Sequence, residues 1–168
     1  DVFQLVLGEG DTGKALVDAD VDGVFFTGSQ NTGAAIAKAI AGRCLPLQLE
    51  LGGKDPAYVA DDVDVKAAAE GLVDGAFYNN GQSCCAVERI YVHHTVYFQF
   101  RTYFLEAVSR LTMGDPTESN TYLGPLTRGQ HASFLDQQIA DAVHKGATVL
   151  TGGKAVSGDG HYYEPTVL

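Results

Sequence analysis

Two adjacent cysteines, Cys84 and Cys85, stand in the stretch "NNGQSCCAVERIYV", in a chain with only one other cysteine, Cys44. A thiol in a Gly- and Asn-rich loop is open to electrophiles, and nearby backbone N–H groups can stabilise its thiolate, the nucleophilic form. Upstream, "LELGGK" carries Glu50 at the end of an apolar run and just before two glycines. A carboxylate there reads either as a general base facing a cleft or as a surface glutamate before a turn. A third stretch, "FTGSQNTG", sets Gly28, Ser29 and Gly33 around the start of a helical pattern. It reads equally as an anion site at a helix N-terminus and as an N-cap serine with two turn glycines.

Other candidates carry less. "GEGDTG", residues 8–13, matches the dinucleotide fingerprint G-x-G-x-x-G. The acidic residue that should close the following strand is absent, since that strand ends "FFTG"; a glycine-rich turn is the simpler reading. Ser83 resembles the nucleophile of a G-x-S-x-G elbow, but Cys85 occupies the closing glycine's place and no strand precedes it. Cys85 is expected to project away from Cys84 in an extended segment and to pack inside. Cys44, among apolar neighbours, reads as a small core residue. Asp61, Asp62 and Asp64 read as helix caps, and His93 and His94 as solvent-facing. Neither adjacent pair, Cys–Cys or His–His, has the spacing of zinc ligands, so no metal site is expected.

These residues need elements to position them. "VFQLVL" (2–7) reads as a strand, followed by a short helix to about residue 20. "VDGVFFTG" (21–28) reads as a buried strand, and "NTGAAIAKAIAG" (31–42) as a helix closing on Gly42. In "LPLQLEL" (45–51), leucine alternates with proline, glutamine and glutamate, which predicts a strand with Glu50 opposite the leucine face. Further on, "AYVA", the helix "VKAAAEGLVDGAFYN" and the strand "ERIYVHH" repeat the alternation. A long helix follows, with Val96, Phe100, Phe104, Val108 and Leu111 along one stripe and its end at Gly114. After the turn-rich "GDPTESNTYLGPLT", another helix spans about 130–145 and stops at Gly146. "ATVLTGG" reads as a strand and turn.

The pattern predicts an α/β protein with largely parallel sheets. A change of pattern near Gly52 and Gly53 marks a candidate domain boundary, dividing the chain into 1–51 and 52–168.

Composition narrows the classes. The 168 residues hold 11 Lys and Arg against 21 Asp and Glu, a formal net charge of −10, which argues against nucleic-acid binding. No apolar run is long enough to cross a bilayer, and the first residues lack a signal peptide's basic and small-residue features. The odd cysteine count predicts a reducing, cytoplasmic setting. The chain opens and closes on strand-like runs and reads as a piece of a longer protein.

Taken in order, "FTGS", "LELGGK" and then "GQSC", with Cys84 placed 34 residues after Glu50, resemble the aldehyde dehydrogenase superfamily. "AVERIYV", "GDPTESNTYLGPLT", "GATVLTGG" and "YYEPTVL" extend the resemblance over essentially the whole chain. It implies that 1–51 is the end of a Rossmann-like cofactor domain, the dinucleotide-binding part, and 52–168 part of an α/β catalytic domain with a largely parallel sheet, the thiol-bearing part. It implies NAD or NADP as cofactor and a small-molecule aldehyde as substrate. It also implies Cys84 as nucleophile, Glu50 as the base that activates water, and a thiohemiacetal and thioester on the way to the acid. Gly28, Ser29 and Gly33 would meet the dinucleotide, with Leu51 near the nicotinamide; "GEGDTG" would not be used. The parent protein would be a homo-oligomer. An asparagine completing the oxyanion hole and the ribose-holding residues would lie outside residues 1–168. The alternative is a truncated, inactive fold or a binding or assembly module with at most weak esterase activity.

Overall fold

The computed structural model describes residues 2–168; Asp1, where the expected cofactor region starts, lies outside them. The chain divides into two compact units, Asp1–Gly53 and Lys54–Leu168.

In the first unit, helix α1 (Gly10–Asp18) is followed by strand β1 (Val24–Thr27), helix α2 (Gln30–Ile40) and strand β2 (Leu47–Glu50). The strands pair in parallel, with Val24 opposite Leu47 and Thr27 opposite Glu50. The ladder gains a bond at each end, from Val24 N–H to the Pro46 carbonyl (2.9 Å) and from Gly28 N–H to the Glu50 carbonyl (3.0 Å). Arg43, just past α2, donates to the carbonyls of Val17 (2.5 Å) and Ala19 (2.6 Å). Those carbonyls are orphans at the end of α1, so one guanidinium both caps α1 and joins it to α2. In β2, Leu47 and Leu49 are half-buried while Gln48 and Glu50 are exposed, as the alternation predicts.

Four expectations fail in this unit. Residues 2–7 form no strand, and Val2, Phe3, Leu5 and Leu7 are exposed. A strand needs a neighbour for its N–H and C=O groups, whatever its composition. The "GEGDTG" stretch therefore has no strand before it. β1 is not buried on both faces, since Phe25 keeps 83% of its surface exposed. α2 also ends at Ile40, with Ala41 rather than Gly42 as its C-cap, and the left-handed residue of the following turn is Cys44, with φ 52°. Cys44 is exposed, not a core residue.

The second unit opens with β3 (Asp55–Val59), helix α3 (Val65–Phe77), β4 (Val87–Val92) and helix α4 (Tyr97–Ser109). β3 and β4 are parallel, with Tyr58 opposite Tyr91 and Val59 opposite Val92. Asp64 caps α3, its carboxylate accepting from the N–H groups of Lys66 and Ala67 at 3.1 Å each. The aromatic stripe of α4 meets α3 as expected: Phe100, Phe104, Ala107 and Val108 pack with Val59, Ala69 and Val73 into one core. Ala69 is 0% exposed, and its small side chain lets the helices approach. Phe104 also contacts the rings of Phe77 (6.5 Å between centroids) and Phe100 (5.5 Å).

Helix α4 ends at Ser109, one turn short of Gly114. Helix α5 (Gln130–His144) stops just before Gly146, whose φ is 98°. "ATVLTGG" forms no full strand: Thr151 makes an isolated antiparallel bridge with Val167 of "YYEPTVL", and Ala155, just beyond the turn, makes another with Tyr163. Both two-stranded sheets are parallel, and the class is α/β.

Candidate active site

The loop that carries Cys84 begins where α3 ends. Asn79, Asn80 and Gly81 have φ of 50°, 58° and 69°, three consecutive residues in the left-handed region. Asparagine and glycine are the residues that tolerate it, so "YNNG" encodes a sharp reversal. The reversal is braced from within: Asn79 Nδ2 donates to the Gln82 carbonyl (3.1 Å), and Gln82 Nε2 donates to the Asn79 carbonyl (3.2 Å). It is also tied to a distant segment. Asn80 Nδ2 donates to the Gly124 carbonyl at 2.6 Å, and Thr127 N–H donates to Gln82 Oε1 at 2.9 Å. The "LGPLT" stretch thus holds the cysteine loop in place.

Beyond Gln82 the backbone turns. Ala86 N–H reaches back to the Ser83 carbonyl at 3.3 Å, closing a turn around Cys84 and Cys85. Ala86, 1% exposed, anchors its far side in the core. Cys84 is exposed on this turn.

Cys85 is exposed too, which corrects the expectation that it packs. Alternation of side chains holds for extended backbone, and this backbone is not extended. Cys85 Sγ instead lies 3.3 Å from Ser83 Oγ and 3.2 Å from the Tyr78 hydroxyl, which itself donates to Ser83 Oγ at 2.5 Å. The Ser83 and Tyr78 hydroxyls, in that order, stabilise the thiolate and hold the Cys85 thiol below its ordinary value. The same contact with Cys85 pushes the Tyr78 hydroxyl up. Tyr78, Asn80, Gln82 and Thr127 went unassigned in the sequence; only the left-handed preference of "NNG" hinted at the turn.

The remaining candidates lie in the first unit. β1 ends at Thr27, Gly28 follows, and Ser29 caps α2, its Oγ accepting from Thr32 N–H (3.2 Å) and hydrogen-bonding Thr32 Oγ1 (2.9 Å). Gly28 and Ser29 are exposed at the N-terminus of this 11-residue helix. A side chain on Gly28 would meet the Phe26 ring at 2.5 Å. Gly33 is buried, and a methyl there would come within 2.8 Å of Leu51 Cδ2 and 3.6 Å of Leu49 Cδ2. Its bareness is what lets α2 lie against the strand. Glu50 shares the exposed face of β2 with Gln48, whose Nε2 donates to Glu50 Oε1 at 2.8 Å. So Gly28 and Glu50 are joined through the backbone, Gly33 and Leu51 are in contact, and Cys84 belongs to the second unit. Among the described residues, no three His, Cys, Asp or Glu side chains group as metal ligands would. None of the described helices is long and apolar enough to cross a membrane.

The sequence model of the aldehyde dehydrogenase family matches residues 1–168, and the chain belongs to that family. It is 42% identical over 170 residues to lactaldehyde dehydrogenase of Escherichia coli (strain K12), covering 99% of this chain and 36% of that protein. It is 40% identical over 153 residues to succinate-semialdehyde dehydrogenase [NADP(+)] 1 of Mycobacterium ulcerans (strain Agy99), covering 91% of this chain and 33% of that one. Among solved structures, a lactaldehyde dehydrogenase superposes with a TM-score of 0.93 at 42% identity, over 98% of this chain and 35% of the other. An NAD+ complex of an aldehyde dehydrogenase from Bacillus cereus gives 0.90 at 34% identity, over 95% and 33%. The chain thus spans about a third of the length of these relatives.

Proposed function

We propose that the protein oxidises a small aldehyde to its carboxylic acid with NAD(P)+, Cys84 serving as nucleophile and Glu50 as base. The observation that supports this most is an exposed Cys84 thiol, on a backbone-braced turn, in a chain matched end to end by the aldehyde dehydrogenase family. Relatives whose names or structures carry NADP(+) and NAD+ support either dinucleotide as cofactor.

In this reading the first unit is the end of the dinucleotide-binding domain and the second is part of the catalytic domain. The start of α2 fits a pyrophosphate: Gly28 and Ser29 are exposed there, and a helix N-terminus favours an anion. Gly33 would hold α2 close to the strand, and Leu51 would bear on the nicotinamide. When bound, the cofactor supplies the hydride acceptor.

Cys84 Sγ, as thiolate, adds to the aldehyde carbon; a C–S bond forms and the π pair moves to oxygen. The Cys84 backbone N–H would donate to that oxygen. The oxygen pair re-forms C=O as hydride leaves, and an acyl thioester remains on Cys84. Glu50 then takes a proton from water, the resulting hydroxide adds to the thioester carbon, and the C–S bond breaks. The acid departs and Cys84 returns as thiolate. Three free thiols favour a reducing, cytoplasmic location, the net charge of −10 argues against a nucleic-acid partner, and the family resemblance implies a homo-oligomer.

Absorbance at 340 nm during incubation with aldehydes and NAD+ or NADP+ tests this reading. Aldehyde-dependent reduction should vanish in Cys84→Ala and slow about a hundredfold at steady state in Glu50→Gln, with a single-turnover burst retained. Undiminished reduction in Cys84→Ala would refute it. A second reading is a binding or assembly module with at most weak esterase activity. Ester hydrolysis without any dinucleotide-dependent reduction would select it.

A further inference from the structure

The residues on either side of Cys84 share one partner. Ser83 precedes it, Cys85 follows it, and the hydroxyl of Tyr78 contacts both. The three groups close a ring. Tyr78 O–H donates to Ser83 Oγ at 2.5 Å, and Ser83 Oγ lies 3.3 Å and Tyr78 Oη 3.2 Å from Cys85 Sγ. With Ser83 O–H turned to sulfur and Cys85 S–H turned to the phenol, each group donates once and accepts once. Such a closed cycle is self-satisfied, and its bonds polarise one another.

Cys84 stands outside this ring, at its apex. The only backbone bond across its turn, from Ala86 N–H to the Ser83 carbonyl, is long at 3.3 Å. Alone it would hold the turn weakly. Tyr78 is firmly placed. Its N–H donates to the Asp74 carbonyl at the end of α3, and its neighbour Phe77 packs against the core. The left-handed run Asn79–Asn80–Gly81 then folds the chain back, so that residues 83–85 pass within reach of the phenol.

We propose that Tyr78 is a positioning residue for Cys84, its hydroxyl fixing the turn by bonding both flanking residues and so setting where the exposed Cys84 thiol stands. The proposal rests on Cys84 being the nucleophile. A phenylalanine would fill the same space without tying either neighbour. Carbonyl addition depends on the direction of approach, so a loosened turn should slow the chemical step more than it weakens substrate binding.

The test compares Tyr78→Phe, Cys85→Ala and Cys85→Ser in steady-state aldehyde oxidation, with thermal midpoints measured alongside. Either Tyr78→Phe or Cys85→Ala opens the ring by removing two of its bonds, a net loss that corresponds to roughly a tenfold change in rate. Tyr78→Phe and Cys85→Ala should each lower kcat by about that factor, with KM held within about twofold. Cys85→Ser, which restores a donor and acceptor to the ring, should keep most of the wild-type kcat. A general structural role predicts instead parallel losses in kcat and thermal midpoint, with serine no better than alanine; that result overturns the proposal. Wild-type kcat in Tyr78→Phe overturns it as well. Failure of the nucleophile reading looks different: Cys84→Ala would still oxidise aldehyde, whatever the Tyr78 variants do.

Discussion

Asn80 Nδ2 donates to the carbonyl of Gly124 at 2.6 Å, pinning the turn that leads to Cys84 against a segment 44 residues further along the chain. The backbone of Asn80 is left-handed, with φ 58°. Its other carboxamide atom, Oδ1, is buried with no hydrogen-bond partner among the described residues, which offsets part of the gain. Asn80→Ala should therefore lose about 2 kcal/mol of stability, combining the broken bond with the left-handed penalty. Asn80→Gly, free of that penalty, should lose about 1 kcal/mol. Urea unfolding midpoints check both, and equal losses would show that backbone strain plays no part.

Cys85 should react with iodoacetamide at lower pH than an ordinary thiol. Hydrogen bonding with Ser83 first, and with Tyr78 second, lowers its pKa. A lowered pKa means the thiolate already forms as pH rises through values where a free cysteine is still protonated. Ser83→Ala should move the pH profile of Cys85 labelling upward, and Tyr78→Phe should do so by less. Residue-resolved mass spectrometry separates Cys85 from Cys84, and an unshifted profile in both variants would contradict the assignment.

At Gly33 the prediction concerns packing. A methyl placed there would lie 2.8 Å from Leu51 Cδ2, so either Leu51 changes rotamer or α2 lifts from the strand. Overpacking of this kind costs about 1–3 kcal/mol. Gly33→Ala should fall in that range, and Gly33→Ala combined with Leu51→Ala should recover part of the loss. Thermal or urea unfolding of the two variants decides it.

Alkaline stability should depend on Tyr122. Its hydroxyl donates to Asp74 Oδ1, and partial desolvation of the hydroxyl together with that carboxylate raises its pKa to about 12. The unfolded chain releases this proton near pH 10, as a free tyrosine does. Between about 10 and 12 the folded form holds a proton that the unfolded form has lost, so stability falls as pH rises through that window. Tyr122→Phe should make the decline shallower. An unchanged slope of unfolding free energy against pH would contradict this.

Local pattern was enough to foresee several of these elements. The period-two leucines of "LPLQLEL" give β2 with Glu50 exposed, Asp64 caps α3, and the Phe100–Phe104 stripe of α4 meets the core. Each is decided by residues within a turn or two of one another. Other features depend on partners far along the chain or on backbone shape. "VFQLVL" has strand composition, but composition reports only a liking for a pleated surface, not the neighbour that makes a strand. Cys85 was expected inside because alternation was assumed for a segment that is a turn. The bonds from Asn80 to Gly124 and from Thr127 to Gln82 join loops more than 40 residues apart, and nothing in either loop's sequence names the other.

Whether Cys84 forms the covalent bond to substrate is read by intact-protein and peptide mass spectrometry of Glu50→Gln after brief incubation with an aldehyde and NAD(P)+. With the proposed base removed, an acyl group should remain on Cys84, and none should form in the Cys84→Ala, Glu50→Gln double variant. Acyl transfer to Cys85, or carboxylic acid formed by the double variant, would contradict it.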